Sequence, residues 1–311
     1  MIYVYWFMKI LRFFVLCVLM AVYAVSAHAQ FGEVEGWSFN ASVESGTLQY
    51  FDMESGALQY GSGGMHENIK ASVNASRMFV LDRQFSLGIN AGYRFYDYDF
   101  DFDDAPVLDM GSSHHSFRMG GNVMYRTRLF GKTLMLMGNL TAESSEWGLE
   151  RITGMGMAML MLKYSRDEML GVGLIGLANT TSDIPFFPMA FCRKVFSPQW
   201  TLNFSYPFFG MQYTMGSKHT VAAGFTFSND RFWFKPGVAG LPEVLQFNRS
   251  TVRTGFNYDC KLADGLVLTV QTGWEFAMKS RIYRRNGHHE CFDFGNTNGV
   301  YAKIEVAYRI K

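Results

Sequence analysis

Apolar and polar side chains alternate residue by residue over long stretches of this chain, and that period of two admits little besides strands with one apolar face. In residues 300–310, Val300, Ala302, Ile304, Val306, Tyr308 and Ile310 share a face opposite Tyr301, Lys303, Glu305, Ala307 and Arg309. The same reading holds for Phe85, Leu87, Ile89, Ala91, Tyr93 and Phe95, and for Phe117, Met119, Gly121, Val123 and Tyr125. It holds again for Leu266, Leu268, Val270, Thr272, Trp274 and Phe276. Such a face is the core of a soluble sandwich or the lipid-facing side of a transmembrane barrel. Alternation alone does not separate the two.

The links between strands do separate them. Tight links at Asp82-Arg83, Gly131, Ser165-Arg166-Asp167, Ser197-Pro198-Gln199, Gly216-Ser217-Lys218 and Ala263-Asp264-Gly265 alternate with longer ones at 51–65, 97–113, 144–149, 180–188, 235–246 and 285–298. In an up-and-down arrangement every tight turn falls at one end and every long loop at the other, the layout of a membrane barrel. The reading is therefore an all-β, antiparallel up-and-down transmembrane barrel. Segments at 36–49, 67–80, 84–97, 115–130, 132–144, 151–164, 168–179, 188–196, 219–234, 246–262, 265–283 and 299–310 make twelve strands, with an irregular excursion near Pro207. Dividing the stretch 200–215 at Pro207, which has no amide hydrogen to donate, gives fourteen instead.

With 49% hydrophobic residues and only 7 Pro in 311, the chain has ample apolar surface for one large domain. A net charge of +1 without a basic stripe argues against a nucleic-acid partner. Lys9 and Arg12 precede an apolar run at 13–25, and Ser26-Ala27-His28-Ala29 offers small residues where a signal peptidase reads. Residues 1–29 are thus expected to be a cleaved export signal, with Met8-Lys9 as an alternative start, and 30–311 the barrel domain. Three cysteines follow, Cys192, Cys260 and Cys291, and an odd count is no disulfide framework.

The segment Ile184-Pro185-Phe186-Phe187-Pro188, then Ser197-Pro198-Gln199-Trp200-Thr201-Leu202-Asn203-Phe204-Ser205-Tyr206-Pro207 and Met211-Gln212-Tyr213, resembles an uncharacterised family of bacterial outer-membrane β-barrels. The likeness is distinctive over residues 180–235. It implies a barrel in the outer membrane of a Gram-negative cell and carries no activity, cofactor or site residue with it. The ending departs from the common aromatic last residue of such barrels: Lys311 follows Ile310.

Several constellations could carry chemistry. The wet faces place Arg94, Arg118, Arg126, Glu275, Lys303, Glu305 and Arg309 in the lumen, where mixed charges either pair and close it or stay hydrated in an open pore. His114 and Ser116 share a parity, so they are the candidate catalytic pair of a lipid-modifying hydrolase; His115, on the opposite face, cannot join Ser116. Asp97, Asp99, Asp101 and Asp103 alternate with aromatics where the third strand leaves hydrocarbon, and clustered carboxylates there could hold a divalent ion beside lipopolysaccharide. His288-His289-Glu290-Cys291 contains metal-favoured side chains, but contiguous ligands rarely converge on one ion. Met155, Met157, Met159 and Met161 form one face of a strand, read as flexible thioethers filling an irregular interior. The near repeat Ser45-Gly46-Thr47-Leu48-Gln49-Tyr50 and Ser55-Gly56-Ala57-Leu58-Gln59-Tyr60 reads as a projecting hairpin.

The expectation is a monomeric, non-enzymatic outer-membrane barrel, channel- or porin-like or structural, without cofactor. Its expected partners are membrane lipid, lipopolysaccharide and the barrel-assembly machinery. A membrane-embedded hydrolase and a soluble exported barrel that binds a ligand are the alternatives.

Overall fold

The tight turns are built from short-range hydrogen bonds. Asp82 Oδ1 accepts from the amides of Gln84 and Phe85 at 2.6 and 2.7 Å, and Ser197 Oγ accepts from Gln199 and Trp200 at 3.3 and 3.2 Å. Phe130 and Gly131 both take positive φ, 53° and 73°. That is the two-residue hairpin geometry whose twist matches the strands it joins.

The computed structural model describes residues 36–55, 58–102, 110–179, 185–205, 208–237, 241–285, 289–294 and 298–310. Between the turns run β1 (Trp37–Ser55), β2 (Leu58–Val80), β3 (Phe85–Phe102), β4 (Ser113–Leu129), β5 (Lys132–Ser145), β6 (Gly148–Tyr164), β7 (Glu168–Ala178) and β8 (Phe186–Val195). β9 (Trp200–Ser205), β10 (Phe208–Met215), β11 (His219–Phe234), β12 (Leu245–Ala263), β13 (Leu266–Arg284), β14 (Glu290–Phe294) and β15 (Asn298–Ile310) complete the chain. Each strand pairs antiparallel with its neighbours, and β15 pairs with β1 from Trp37↔Ile310 to Gly46↔Tyr301, which closes the sheet. Fourteen strands form the barrel. β14 lies above β15 in the same gap, between β13 and β1.

Of the two counts the alternation allowed, twelve and fourteen, the barrel has fourteen: residues 200–215 are two strands, β9 and β10, paired from Phe208↔Ser205 to Tyr213↔Trp200. At 6 and 8 residues they are shorter than the usual spanning strand. The link expected at 51–65 is ladder as well, because β1 and β2 stay paired up to Ser55↔Leu58. β3 likewise runs on to Phe102, and β14 occupies part of the link at 285–298. Cys192, Cys260 and Cys291 are free thiols.

Parity sorts the side chains cleanly. Met119, Leu140 and Phe256 point outward and are 70%, 65% and 63% exposed, and Ile89, Leu174, Trp274 and Ile304 lie exposed in the same band. Arg94, Glu275 and Lys303 take the inward parity. Tyr93 and Phe117, 5.0 Å apart, mark the loop end of the band, and Trp200 and Tyr213, 4.7 Å apart, the turn end. The apolar run between, from Phe85 to Phe95 on β3 and from Val300 to Tyr308 on β15, fits the roughly 9 to 11 residues a tilted strand needs to cross hydrocarbon. A hollow of about 910 Å³ between Ile89, Leu140 and Phe186 lies over outward-facing Gly121, Gly154 and Gly176, open to lipid chains.

A closed sheet with an apolar band around its outside is stable only in a bilayer, so Ile304→Arg, at the middle of that band, is expected to cost about 2–4 kcal/mol. Urea unfolding in lipid vesicles, followed by the heat-modifiable gel shift, measures it.

Candidate functional site: the roofed lumen

The loop end of the barrel is closed by its own strands. From Asp230 to Phe234 on β11, from Val244 to Arg249 around the start of β12, and from Ser280 to Tyr283 on β13, neither parity is exposed. A strand in the wall cannot do this, because one of its faces meets lipid or solvent; these ends fold inward as a small roof with both faces covered. β11 touches β4 across the lumen although the two are not neighbours in the sheet. Below the roof, inward-facing Gly210, Gly224, Gly255 and Gly273 stand in one register row. A Cβ at Gly255 or Gly273 would lie 2.1 or 2.0 Å from the facing strand's carbonyl oxygen, so only glycine permits so close an approach where the strands turn inward.

One face of the roof is aromatic. Phe232 stacks on the His114 ring of β4 at 4.0 Å and on Phe247 at 4.8 Å, and leans on Tyr96 and Tyr98 of β3. Phe234, Leu245, Ile282, Phe292 and Met110 complete this core.

A charged layer lies directly beneath. Glu44 of β1 accepts from Lys70 Nζ at 3.0 Å and takes both terminal nitrogens of Arg253. Lys70 also bonds Asp230 across the lumen at 2.5 Å, and Tyr98 donates to Asp230 at 3.2 Å. Arg253 Nε and Arg249 Nη2 share the two oxygens of Glu275 at 2.5 and 2.9 Å. Three acids and three bases from five strands form one neutral knot beside a polar cavity of about 120 Å³ that Ser42, Ser72, Arg94 and Lys303 help to line.

The roof's other face is polar. Arg231 bonds Glu143 of β5 at 2.6 Å, and Trp233 Nε1 donates to the Arg285 carbonyl at 3.3 Å. Outside the membrane band Arg281 clamps β13 to β14. Burial opposes its charge, yet the hydrogen bond and charge of Asp293, at 2.6 Å, together with Glu290, raise its pKa further.

Below the roof the lumen has two unlike walls. On β5 to β8 the inward positions include Met135, Met137, Met155, Met157, Ile175, Leu177, Phe187 and Met189. Opposite, β12, β13, β15 and β1 present Asn257, Gln271, Lys303, Glu305, Ser42 and Asn40.

Every lumen residue read from the sequence takes the inward parity. Arg94 bonds the Tyr96 hydroxyl and the Asn229 carbonyl, both at 3.4 Å. Arg118 stands opposite Gly92 and Glu143, and Arg126 opposite Met135. Glu275 is in the knot, Lys303 pairs with Glu305 at 2.5 Å, and Arg309 is exposed near the turn-end opening. His114 and Ser116 are both buried on the inward face; His114 is held in the aromatic core, and no described hydrogen bond joins the two. Asp97 pairs with Ser113 in the ladder; the side chains of Asp99 and Asp101, and all of Asp103 and His288, lie outside the described residues. No metal-holding group of His, Cys, Asp and Glu occurs among the described residues. Sequence reading missed Glu44, Lys70, Asp230, Arg249 and Arg253, whose partners stand as far as 160 and 209 residues away. It also missed Arg151 and Arg231. The break of alternation at Arg231-Phe232-Trp233-Phe234 was the available signal.

A sheet closed on itself, with an apolar band outside and charged side chains turned inward, admits one description.

The chain is a transmembrane β-barrel.

No known protein family and no curated protein matches its sequence. Among solved structures it is similar to an outer-membrane channel from Pseudomonas putida F1, at 10% identity over 90% of this chain and 97% of that one, with a TM-score of 0.42. A Pseudomonas aeruginosa FadL homologue gives 8% identity over 88% and 90%, with a TM-score of 0.41. The outer-membrane protease OmpT from Escherichia coli gives 12% over 88% and 95%, with a TM-score of 0.26. At such scores these likenesses carry no residue role to this barrel.

Arg253→Met leaves Glu44 and Glu275 short of their shared cation in a desolvated layer, and a loss of about 3–5 kcal/mol is expected. The denaturant midpoint in vesicles measures it, and a Glu44→Gln/Arg253→Met double variant recovers part of the loss.

Proposed function

We propose that this protein is an outer-membrane channel, exported with its first 29 residues removed, which the structure presents with its loop end shut. The observation that carries this reading is the contrast between the two ends of the lumen. Toward the turns the inward side chains of β1, β11, β12 and β13 are mostly small or polar, such as Asn40, Thr220, Asn257 and Gln271, while Met159 and Met161 on β6 are buried; toward the loops the ends of β11 to β13 and the ion knot obstruct the lumen. Large inward side chains concentrated at one level are what a closable passage needs, whereas a purely structural barrel has no use for a lumen lined differently on its two walls.

The long loops face outward from the cell in this reading and the tight turns face the periplasm. The barrel works as a monomer in lipid and lipopolysaccharide, delivered by the barrel-assembly machinery. The outward apolar band speaks against the soluble binder, since so much exposed hydrocarbon would aggregate in water. The hydrolase lacks an organised pair: His114 is stacked on Phe232 and meets Phe234 edge-on, with no described hydrogen bond to Ser116.

Planar-bilayer recording tests the channel. The wild type is expected to show low, intermittent conductance, and Phe232→Ala, which removes the centre of the roof's aromatic face, to raise open-state conductance severalfold. A folded, heat-modifiable Phe232→Ala barrel that stays silent would contradict the proposal.

A further inference from the structure

One feature of the lumen is left unbalanced by the knot and the roof. Arg118, Glu143 and Arg151 stand directly opposite one another on β4, β5 and β6. Arg231 reaches the same Glu143 from the roof at 2.6 Å, and Arg94 lies two residues from Gly92, the partner of Arg118. Four guanidinium groups therefore gather around one carboxylate among the described residues. The neighbouring acids are engaged elsewhere: Asp230 with Lys70 and Tyr98, and Glu150 with Arg285 and Ser145.

Arg151 is 4% exposed. Its Nε donates to the Asn179 carbonyl at 2.5 Å, which fixes the plane of the guanidinium. Both of its terminal nitrogens are buried without an acceptor, as are the Nε atoms of Arg118 and Arg231. On the roof above, the Gln246 side-chain amide and the Tyr283 hydroxyl are buried without partners, and Tyr283 interacts electrostatically with Arg151. Arginine cannot shed its proton to escape such a site, and each desolvated donor left unmet costs free energy. What satisfies a fixed guanidinium fork is a planar or tetrahedral oxyanion.

The same strands continue downward as the apolar wall. Met155 lies four residues from Arg151, about 13 Å along β6, with Leu177, Ile175, Met137 and Met157 around it. Met155 takes the inward parity and is 38% exposed. Water alone would be a poor occupant of that wall, because apolar surface left wet costs about 25 cal/mol per Å².

We infer that the arginine cluster of β4, β5, β6 and the roof receives the acidic head of an organic anion whose apolar body lies along the methionine wall of β5 to β8. The assignment of such amphiphilic anions as the channel's solute rests on the channel reading; the binding site itself does not.

Isothermal titration calorimetry on the folded full-length barrel in non-ionic detergent, blanked against detergent alone, tests the site with decanoate, decylammonium and acetate. Saturable binding of decanoate, at least about tenfold tighter than that of either other probe, is expected, one such factor being about 1.4 kcal/mol. The Arg151→Gln/Arg231→Gln variant, checked for folding by its gel shift, should lose about tenfold in decanoate affinity, the scale of one charge-assisted hydrogen-bonded contact. Decylammonium binding as tightly as decanoate overturns the anionic head; acetate binding as tightly overturns the apolar body; absence of saturable decanoate binding overturns both. Should the double variant fail to fold, the three-probe comparison on the wild type still decides. If decanoate binds while neither wild type nor Phe232→Ala conducts, the site stands and the channel reading falls. Conductance without any preference among the probes has the opposite meaning.

Discussion

Everything in this structure hangs on the ladder between β1 and β15. Hydrocarbon offers no partner to a backbone amide or carbonyl, and each one left unmet there costs several kcal/mol. A fourteen-stranded sheet with two free edges would carry a whole row of such groups on each. The pairing from Trp37↔Ile310 to Gly46↔Tyr301 removes both edges at once, and only then can the side chains divide into a lipid set and a lumen set. The closure is the most non-local contact the chain makes, joining its first described strand to its last, so the other pairings must be in place for it to form.

With the edges gone, the lumen is where the chain spends its polar side chains, and the spending is uneven. The knot of Glu44, Lys70, Asp230, Arg249, Arg253 and Glu275 ties β1 and β2 to β11, β12 and β13 and is balanced in charge. A few ångströms of wall away, Arg94, Arg118, Arg151 and Arg231 meet a single Glu143. A balanced buried network is weak evidence for stability but sound evidence for a fixed arrangement, since breaking one member strands another. An unbalanced one is not explained by structure alone. The two lie on opposite faces of the same roof, so the roof holds firmly to one wall and offers donors to the other.

The wall of the barrel was legible in the sequence because lipid enforces strict alternation. The tight turns were legible too, through Gly131, Asp264-Gly265 and the Asp and Ser residues that bond the backbone locally. The count stayed open between twelve and fourteen at residues 200–215, because β9 and β10 are short and Pro207 reads equally as interruption or as turn. The roof was illegible for a different reason. Phe232, Trp233 and Phe234 read as the end of an ordinary strand, and only contact with β4, a neighbour in neither sequence nor sheet, shows that the strand has left the wall. Arg151 and Arg231 were missed for the same reason. Of the methionines expected to fill an irregular interior, Met159 and Met161 are buried, while Met155, nearer the loop end, is 38% exposed.

The meeting of β11 with β4 also divides the mouth into two unequal arcs. The arc running from β12 through β15 to β3 carries the longest strands, up to the 23 residues of β2, and is occupied by the aromatic core. The arc from β5 to β10 has the lowest rim, falling to the 6 residues of β9. An opening made by lifting the roof would therefore be eccentric, displaced from the barrel axis toward the short strands, and whatever passed would travel along one side of the cylinder rather than down its centre.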